Sequence, residues 1–124
     1  MMSASKGNVL IVDDEIEMRR KFKKLLKEDG FDVYEAKDAL DVANVLMRDG
    51  RKLDLVLLDI NIAEINGRDI FDIIIGYSPN VKVIVTSVFP VKDQKLRVPK
   101  ANDYFNKADD GPLLLKKISD LIGF

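Results

Sequence analysis

Along the chain, short apolar runs alternate with longer stretches in which apolar residues return every three or four positions, and the alternation occurs five times. The short runs are "NVLIV" (8–12), "DVYEA" (32–36), "DLVLL" (54–58), "KVIVT" (82–86) and "DYF" (103–105). A strand followed by a helix, repeated, predicts an α/β fold with a parallel sheet and helices on both of its faces. The first, third and fourth runs are almost continuously apolar, as strands covered on both faces must be. "DVYEA" alternates apolar and polar residues and "DYF" is short, so these two belong at the edges. Strand order 2-1-3-4-5 meets both demands. The expected architecture is therefore a doubly wound, flavodoxin-like (βα)5 fold with a five-stranded parallel sheet.

The intervening segments carry the helical period. "EIEMRRKFKKLLKEDG" puts Ile16, Phe22, Leu25 and Leu26 on one face and ends at Gly30, a favourable residue just past a helix. "DALDVANVLMRDG" is expected to bury Leu40, Ala43, Leu46 and Met47 and to stop at Gly50 by the same device. "DIFDIIIGYSP" is apolar nearly all round, with Ile70, Phe71, Ile73, Ile74 and Ile75. That fits either an unusually deep helix or one that leaves part of its surface for a partner. Between Pro90 and Pro99 only "VKDQKLRV" remains, about two turns. After Pro112, a last amphipathic helix presents Leu114, Ile118, Leu121 and Ile122. No repeat, linker or low-complexity tract interrupts the pattern, so one domain over 1–124 is expected, with 1–7 as a flexible N-terminal segment.

Composition narrows the chemistry. The 124 residues are 47% hydrophobic and 33% charged, too apolar for disorder and too charged for a membrane span. Lys plus Arg number 20 against 21 Asp plus Glu, which gives no overall basic field for direct nucleic-acid binding. The start lacks a secretory signal pattern, and a chain without Cys has no disulfide framework, so a cytoplasmic location is the expectation. With no His and no Cys the usual zinc sites, a Ser-His-Asp triad and a thiol nucleophile are all excluded. Carboxylates, hydroxyls, amides and Lys remain, a set that suits a hard, oxygen-binding cation.

Those groups collect at the strand ends. Asp13 and Asp14 follow the first run, Asp59 follows the third, Thr86 and Ser87 end the fourth, and Lys107 comes two residues after the fifth. In open α/β sheets ligands bind outside the carboxyl ends of the strands at the switch point, here between strands 1 and 3, which the predicted order makes neighbours. Taken singly, each residue has a plainer reading. Asp14 fits a helix N-cap with Glu17 three residues on, Asp59 a turn residue, Thr86 a β-branched strand residue and Lys107 a surface lysine. Their convergence on one edge is what those readings leave unexplained. Three carboxylates within a few ångströms raise one another's pKa unless a cation neutralises them, and Mg²⁺ commonly joins one or two carboxylates to a phosphoryl group. Carboxylates also form aspartyl-phosphates, and phosphoryl transfer needs mainly positioning and charge neutralisation.

Together, "VDDE" after strand 1, "LLDINIAEING" after strand 3, "VIVTS" on strand 4 and "DYFNKA" after strand 5 resemble the receiver domains of two-component response regulators. The resemblance covers nearly the whole chain, and the length is similar to single-domain receivers of the chemotaxis-regulator type. It implies a phosphoacceptor signalling switch, not an enzyme with a separate substrate. Asp59 would accept a phosphoryl group from a phosphohistidine on a histidine kinase or histidine phosphotransfer protein. Asp14, Asp59 and the Asn61 carbonyl would ligate Mg²⁺, with Asp13 acting through a bound water. Lys107 would pair with phosphoryl oxygens, Thr86 would swing towards them, and Tyr104 would turn inward in concert, repacking the surface of helix 4, strand 5 and helix 5. A monomer or weak dimer is expected. Ala63 and Ala108 stand where the family usually has Pro, so an ordinary trans bond, or a rare strained cis one, is expected after Lys107. Asn61 and Val88 occupy positions that, by the resemblance, tune hydrolysis of the phosphoaspartate, and apolar Val88 points to a longer lifetime. Two other classes compete: a receiver-like interaction module working without phosphorylation, and an aspartate-nucleophile phosphatase, whose D-x-D after the first strand is absent here.

Overall fold

The computed structural model describes residues 4–61 and 66–123. In chain order the elements are β1 (Asn8–Val12), α1 (Ile16–Glu28), β2 (Asp32–Ala36), α2 (Ala39–Asp49) and β3 (Leu55–Asp59), then α3 (Gly67–Tyr77), β4 (Lys82–Ser87), α4 (Val91–Arg97), β5 (Asp103–Asn106) and α5 (Gly111–Ile122). The five strands are parallel in the order β2-β1-β3-β4-β5, as the hydrophobic pattern requires. Ala63 lies outside the described residues, as do Met1 and Met2. Within the N-terminal segment, Lys6 N–H donates to Gly30 O at 2.9 Å.

The pleat divides the sheet into two cores. Val9, Ile11, Leu55, Leu57, Ile84 and Phe105 face one side and pack on Phe22 and Leu26 of α1 and Leu114 and Ile118 of α5. Leu10, Val12, Val56, Leu58, Val83 and Val85 face the other and meet Val42, Val45 and Leu46 of α2 and Ile70, Phe71 and Ile74 of α3. Both parities of β1, β3 and β4 are thus buried, which is why these strands read as unbroken apolar runs. Each fully buried Leu or Ile contributes about 1.5–3 kcal/mol, so the sheet that carries the strand ends is the stiff part of the molecule.

Helix ends follow local chemistry, with three departures from expectation in α1 and α2. Gly30, at φ +97°, closes α1: its N–H reaches Lys27 O while Phe31 N–H reaches Leu26 O. Gly50 does not repeat this, since its φ of −55° continues the chain into a 3₁₀ turn at Gly50–Lys52. Helix α2 is also rotated from the predicted face. It buries Val42, Val45 and Leu46 and leaves Leu40 and Met47 exposed. The segment has apolar residues at enough positions to offer two faces. The Asp38 carboxylate fixes the first turn by accepting from Asp41 N–H at 2.8 Å, and the β-branched pair is turned to the sheet. Ile16, in the first turn of α1, is likewise exposed. Helix α3 settles between its two readings, with Ile70, Phe71 and Ile74 buried and Ile73 and Tyr77 exposed. Helix α4 has the short length that its two prolines allow.

Gly67 opens α3 with no room for a side chain: an added Cβ would lie 2.7 Å from both Cα and Cβ of Ile60. Gly67→Ala is therefore expected to destabilise the fold by about 1–3 kcal/mol. A lowered urea midpoint at unchanged m-value checks it.

Candidate functional site

Register brings the strand ends together. Val12 pairs with Leu58, so the next residues, Asp13 and Asp59, emerge side by side, and Asp59 itself pairs with Thr86. On the far side of β4, Ser87 pairs with Asn106, and Ser87 O accepts from Lys107 N–H at 2.8 Å. The Lys107–Ala108 bond is trans, as expected. In place of a proline, the Asn106 carboxamide oxygen holds Ala108 N–H at 2.9 Å. The backbone on both sides of Lys107 is thus hydrogen-bonded without a proline.

Asp13 and Asp59 are 1% and 0% exposed, and they are held alike. In each, Oδ1 accepts a backbone N–H two residues on, from Glu15 to Asp13 and from Asn61 to Asp59, both at 2.9 Å. In each, Oδ2 is buried without a well-directed hydrogen bond and faces the Lys107 ammonium, 2.7 Å from Asp13 and 3.2 Å from Asp59. One ammonium is thus shared between two carboxylates. Burial pushes the Asp59 carboxyl above its ordinary pKa of 3.8; the Asn61 N–H and Lys107 oppose this, and the Asp13 charge adds to it. Burial alone would lower the Lys107 pKa, but Asp13 and Asp59 outweigh it and raise the pKa above 10.5. The lysine is a fixed positive charge at any physiological pH.

Asp14 completes the acidic set on the solvent side. One carboxylate oxygen from each of Asp13, Asp14 and Asp59 lies within 4.8 Å of the others. The helix-cap reading of Asp14 is not what the chain adopts: α1 begins at Ile16, Glu15 occupies the cap position, and no side chain caps it. Three oxygen donors, two of them buried, with two oxygens lacking directed donors, fit a small divalent cation of the Mg²⁺ class.

Around this centre, Thr86 is buried beside Asp59, and Asn61 ties the β3 loop to β4 through a 3.0 Å bond from its Nδ2 to Ser87 Oγ. Tyr104 is not at the site. It pairs with Val85 on the neighbouring strand, its ring is buried, and its hydroxyl donates to Val98 O at the end of α4. Two contributors escaped the sequence reading. Arg19 donates to Asp13 O at 2.8 Å, and buried Gln94 donates from Nε2 to Phe89 O and Phe105 O, tying α4 to β5.

Comparison with known proteins agrees with this geometry. The family model described as Response regulator receiver domain matches residues 9–119. The alginate biosynthesis transcriptional regulatory protein AlgB of Pseudomonas aeruginosa is 29% identical over 107 residues, 85% of this chain. The chain spans only 23% of that protein's length. The chemotaxis protein CheY of Listeria monocytogenes is 38% identical over 80 residues, covering 64% of this chain and 66% of its own. Among solved structures, the response regulator TrrA of Thermotoga maritima, in complex with Mg²⁺ and BeF, superposes with a TM-score of 0.82 at 25% identity, covering 93% of this chain and 98% of that one. Five parallel strands in this order, an acidic cluster between β1 and β3 and a family match over nearly the whole sequence lead to one assignment: the chain belongs to the response regulator receiver domain family of two-component systems.

Proposed function

We propose that this chain is a phosphoacceptor switch in which Asp59 takes a phosphoryl group from a phosphohistidine on a histidine kinase or histidine phosphotransfer protein. The observation that carries the reading is the state of the Asp59 carboxylate: Oδ1 is anchored by Asn61 N–H, while Oδ2 is left without a directed donor beside the Lys107 ammonium. Oδ2 is the nucleophilic atom. It forms the new O–P bond as the donor's P–N bond breaks, and the electron pair of that bond stays on the imidazole nitrogen. With no His in these 124 residues, the phosphohistidine lies outside them.

Asp13, Asp14, Asp59 and the Asn61 carbonyl would hold Mg²⁺, Asp13 through a water; when bound, the cation neutralises charge on the transferring phosphoryl oxygens. Lys107 supplies a second, permanent positive charge to the same oxygens and is already oriented by Asp13. Thr86, next to Asp59 in register, supplies the hydroxyl that follows the new phosphate. Tyr104 couples that movement to α4 through its bond to Val98 O, so the output surface is α4, β5 and α5. The chain catalyses only its own phosphorylation and hydrolysis. Val88, apolar and exposed next to the site, has no side-chain group to orient a water, which supports a long-lived phosphoaspartate. No helix among the described residues is long and apolar enough to cross a membrane, and the phosphohistidine donor implies a cytoplasmic setting.

Intact-mass spectrometry after incubation with acetyl phosphate tests the reading. One added phosphoryl group is expected with Mg²⁺ and none with EDTA. No adduct with any donor would favour a module that works through protein contacts alone.

A further inference from the structure

Helix α2 turns outward two large apolar side chains. Leu40 is 70% and Met47 71% exposed, and Asn44 between them is exposed as well. Spacings of four and three put all three on one stripe of the helix. Single exposed apolar residues are ordinary, but here Tyr77 of α3, 54% exposed, shares a groove with Met47 and extends the stripe into a face.

The charges beside the stripe point to its occupant. Asp41 and Arg48, seven residues apart, lie on the same flank of the helix, the acid towards its start and the base towards its end. Run antiparallel to a copy of itself about a two-fold axis between Ala43 and Asn44, the helix sets Leu40 against the partner's Met47 and Met47 against the partner's Leu40. In that arrangement Asp41 comes within about 3 Å, along the axis, of the level of the partner's Arg48. Both ion pairs then form reciprocally, as a two-fold interface requires. In the single chain Asp41 holds Lys37 at 3.3 Å and Arg48 holds Asp49 at 2.7 Å; the Lys37 and Arg48 side chains are exposed, so these contacts cost little to exchange. An acidic helix from an unlike protein would match Arg48, Arg51 and Lys52 but meet repulsion from Asp38 and Asp41 at the Leu40 end.

We propose that α2 is a self-association surface on which a second copy of this chain docks antiparallel. The proposal goes beyond the phosphoryl-transfer reading without resting on it. Sedimentation velocity on the full chain over a concentration series tests it. A reversible dimer is expected, with a dissociation constant on the order of 10⁻⁴ M, as befits a small interface. Met47→Glu should weaken it at least about tenfold, while Asp59→Asn should leave it unchanged. Asp41→Arg and Arg48→Glu should each be monomeric alone, yet associate when mixed, because every cross-pair then joins opposite charges. Circular dichroism checks that each variant is folded. A wild type that stays monomeric across the series overturns the proposal. So does a dimer indifferent to Met47→Glu, or mixed charge variants that remain apart.

Discussion

Asp59→Asn is expected to abolish phosphoryl uptake from acetyl phosphate, with no adduct at any time in intact-mass spectra, while raising the stability of the cation-free protein. Loss of uptake follows from the site: among the buried carboxylates of the described residues only Asp13 remains, and its Oδ2 is already 2.7 Å from Lys107. The rise in stability follows from burial. The Asp59 carboxyl has a folded-state pKa above 3.8, so the folded protein binds its proton more tightly than the unfolded chain does. The stabilisation it contributes is fully present below 3.8 and is lost as pH rises through the elevated value. At neutral pH the ionised form is a burden on the fold that a cation such as Mg²⁺ relieves. Without divalent cations, urea midpoints of the wild type should fall as pH rises through this window, and the Asp59→Asn variant should show a flatter profile. An adduct that persists in Asp59→Asn would place the nucleophile elsewhere.

Lys107→Met should have the second largest effect. It removes the ammonium that touches both Asp13 and Asp59 and is expected to destabilise the apo protein by about 3 kcal/mol at neutral pH. With the ammonium gone, the Asp59 pKa rises further, so the deficit should shrink as pH falls and Asp59 takes up its proton. Saturating Mg²⁺ should restore part of the loss by binding the folded state alone. Phosphoryl uptake should drop at least about 100-fold even with Mg²⁺, because a positive charge aimed at the transferring oxygens is missing. Equal stability of wild type and variant in EDTA at neutral pH would mean that the shared ion contact contributes nothing.

The site was largely legible because its members follow apolar runs, and in a parallel sheet the residue after a buried run has one place to go. Asp13, Asp59, Thr86 and Lys107 were found in this way. Hydrogen bonds without a sequence period were not. Arg19 on Asp13 O, Asn61 on Ser87 Oγ and Gln94 between Phe89 and Phe105 depend on where loops and helix faces come to rest in space. The capping spacing from Asp14 to Glu17 matched a motif, but Asp13 Oδ1 took the Glu15 N–H and left Asp14 exposed to solvent.

The pattern of apolar and polar positions by itself determined five βα units, the three inner strands, the sheet order and the acidic character of the strand ends. Those follow from which residues must leave water, a property of each short run. The tertiary structure decided the phase of α2, the sharing of Lys107 between two carboxylates and the inward packing of Tyr104. Each depends on a comparison between competing partners brought close by the register of separate strands. A segment with apolar residues at 40, 42, 43, 45, 46 and 47 can present either of two faces. Only the sheet against which it packs selects Val42, Val45 and Leu46 and sends Leu40 and Met47 to the surface.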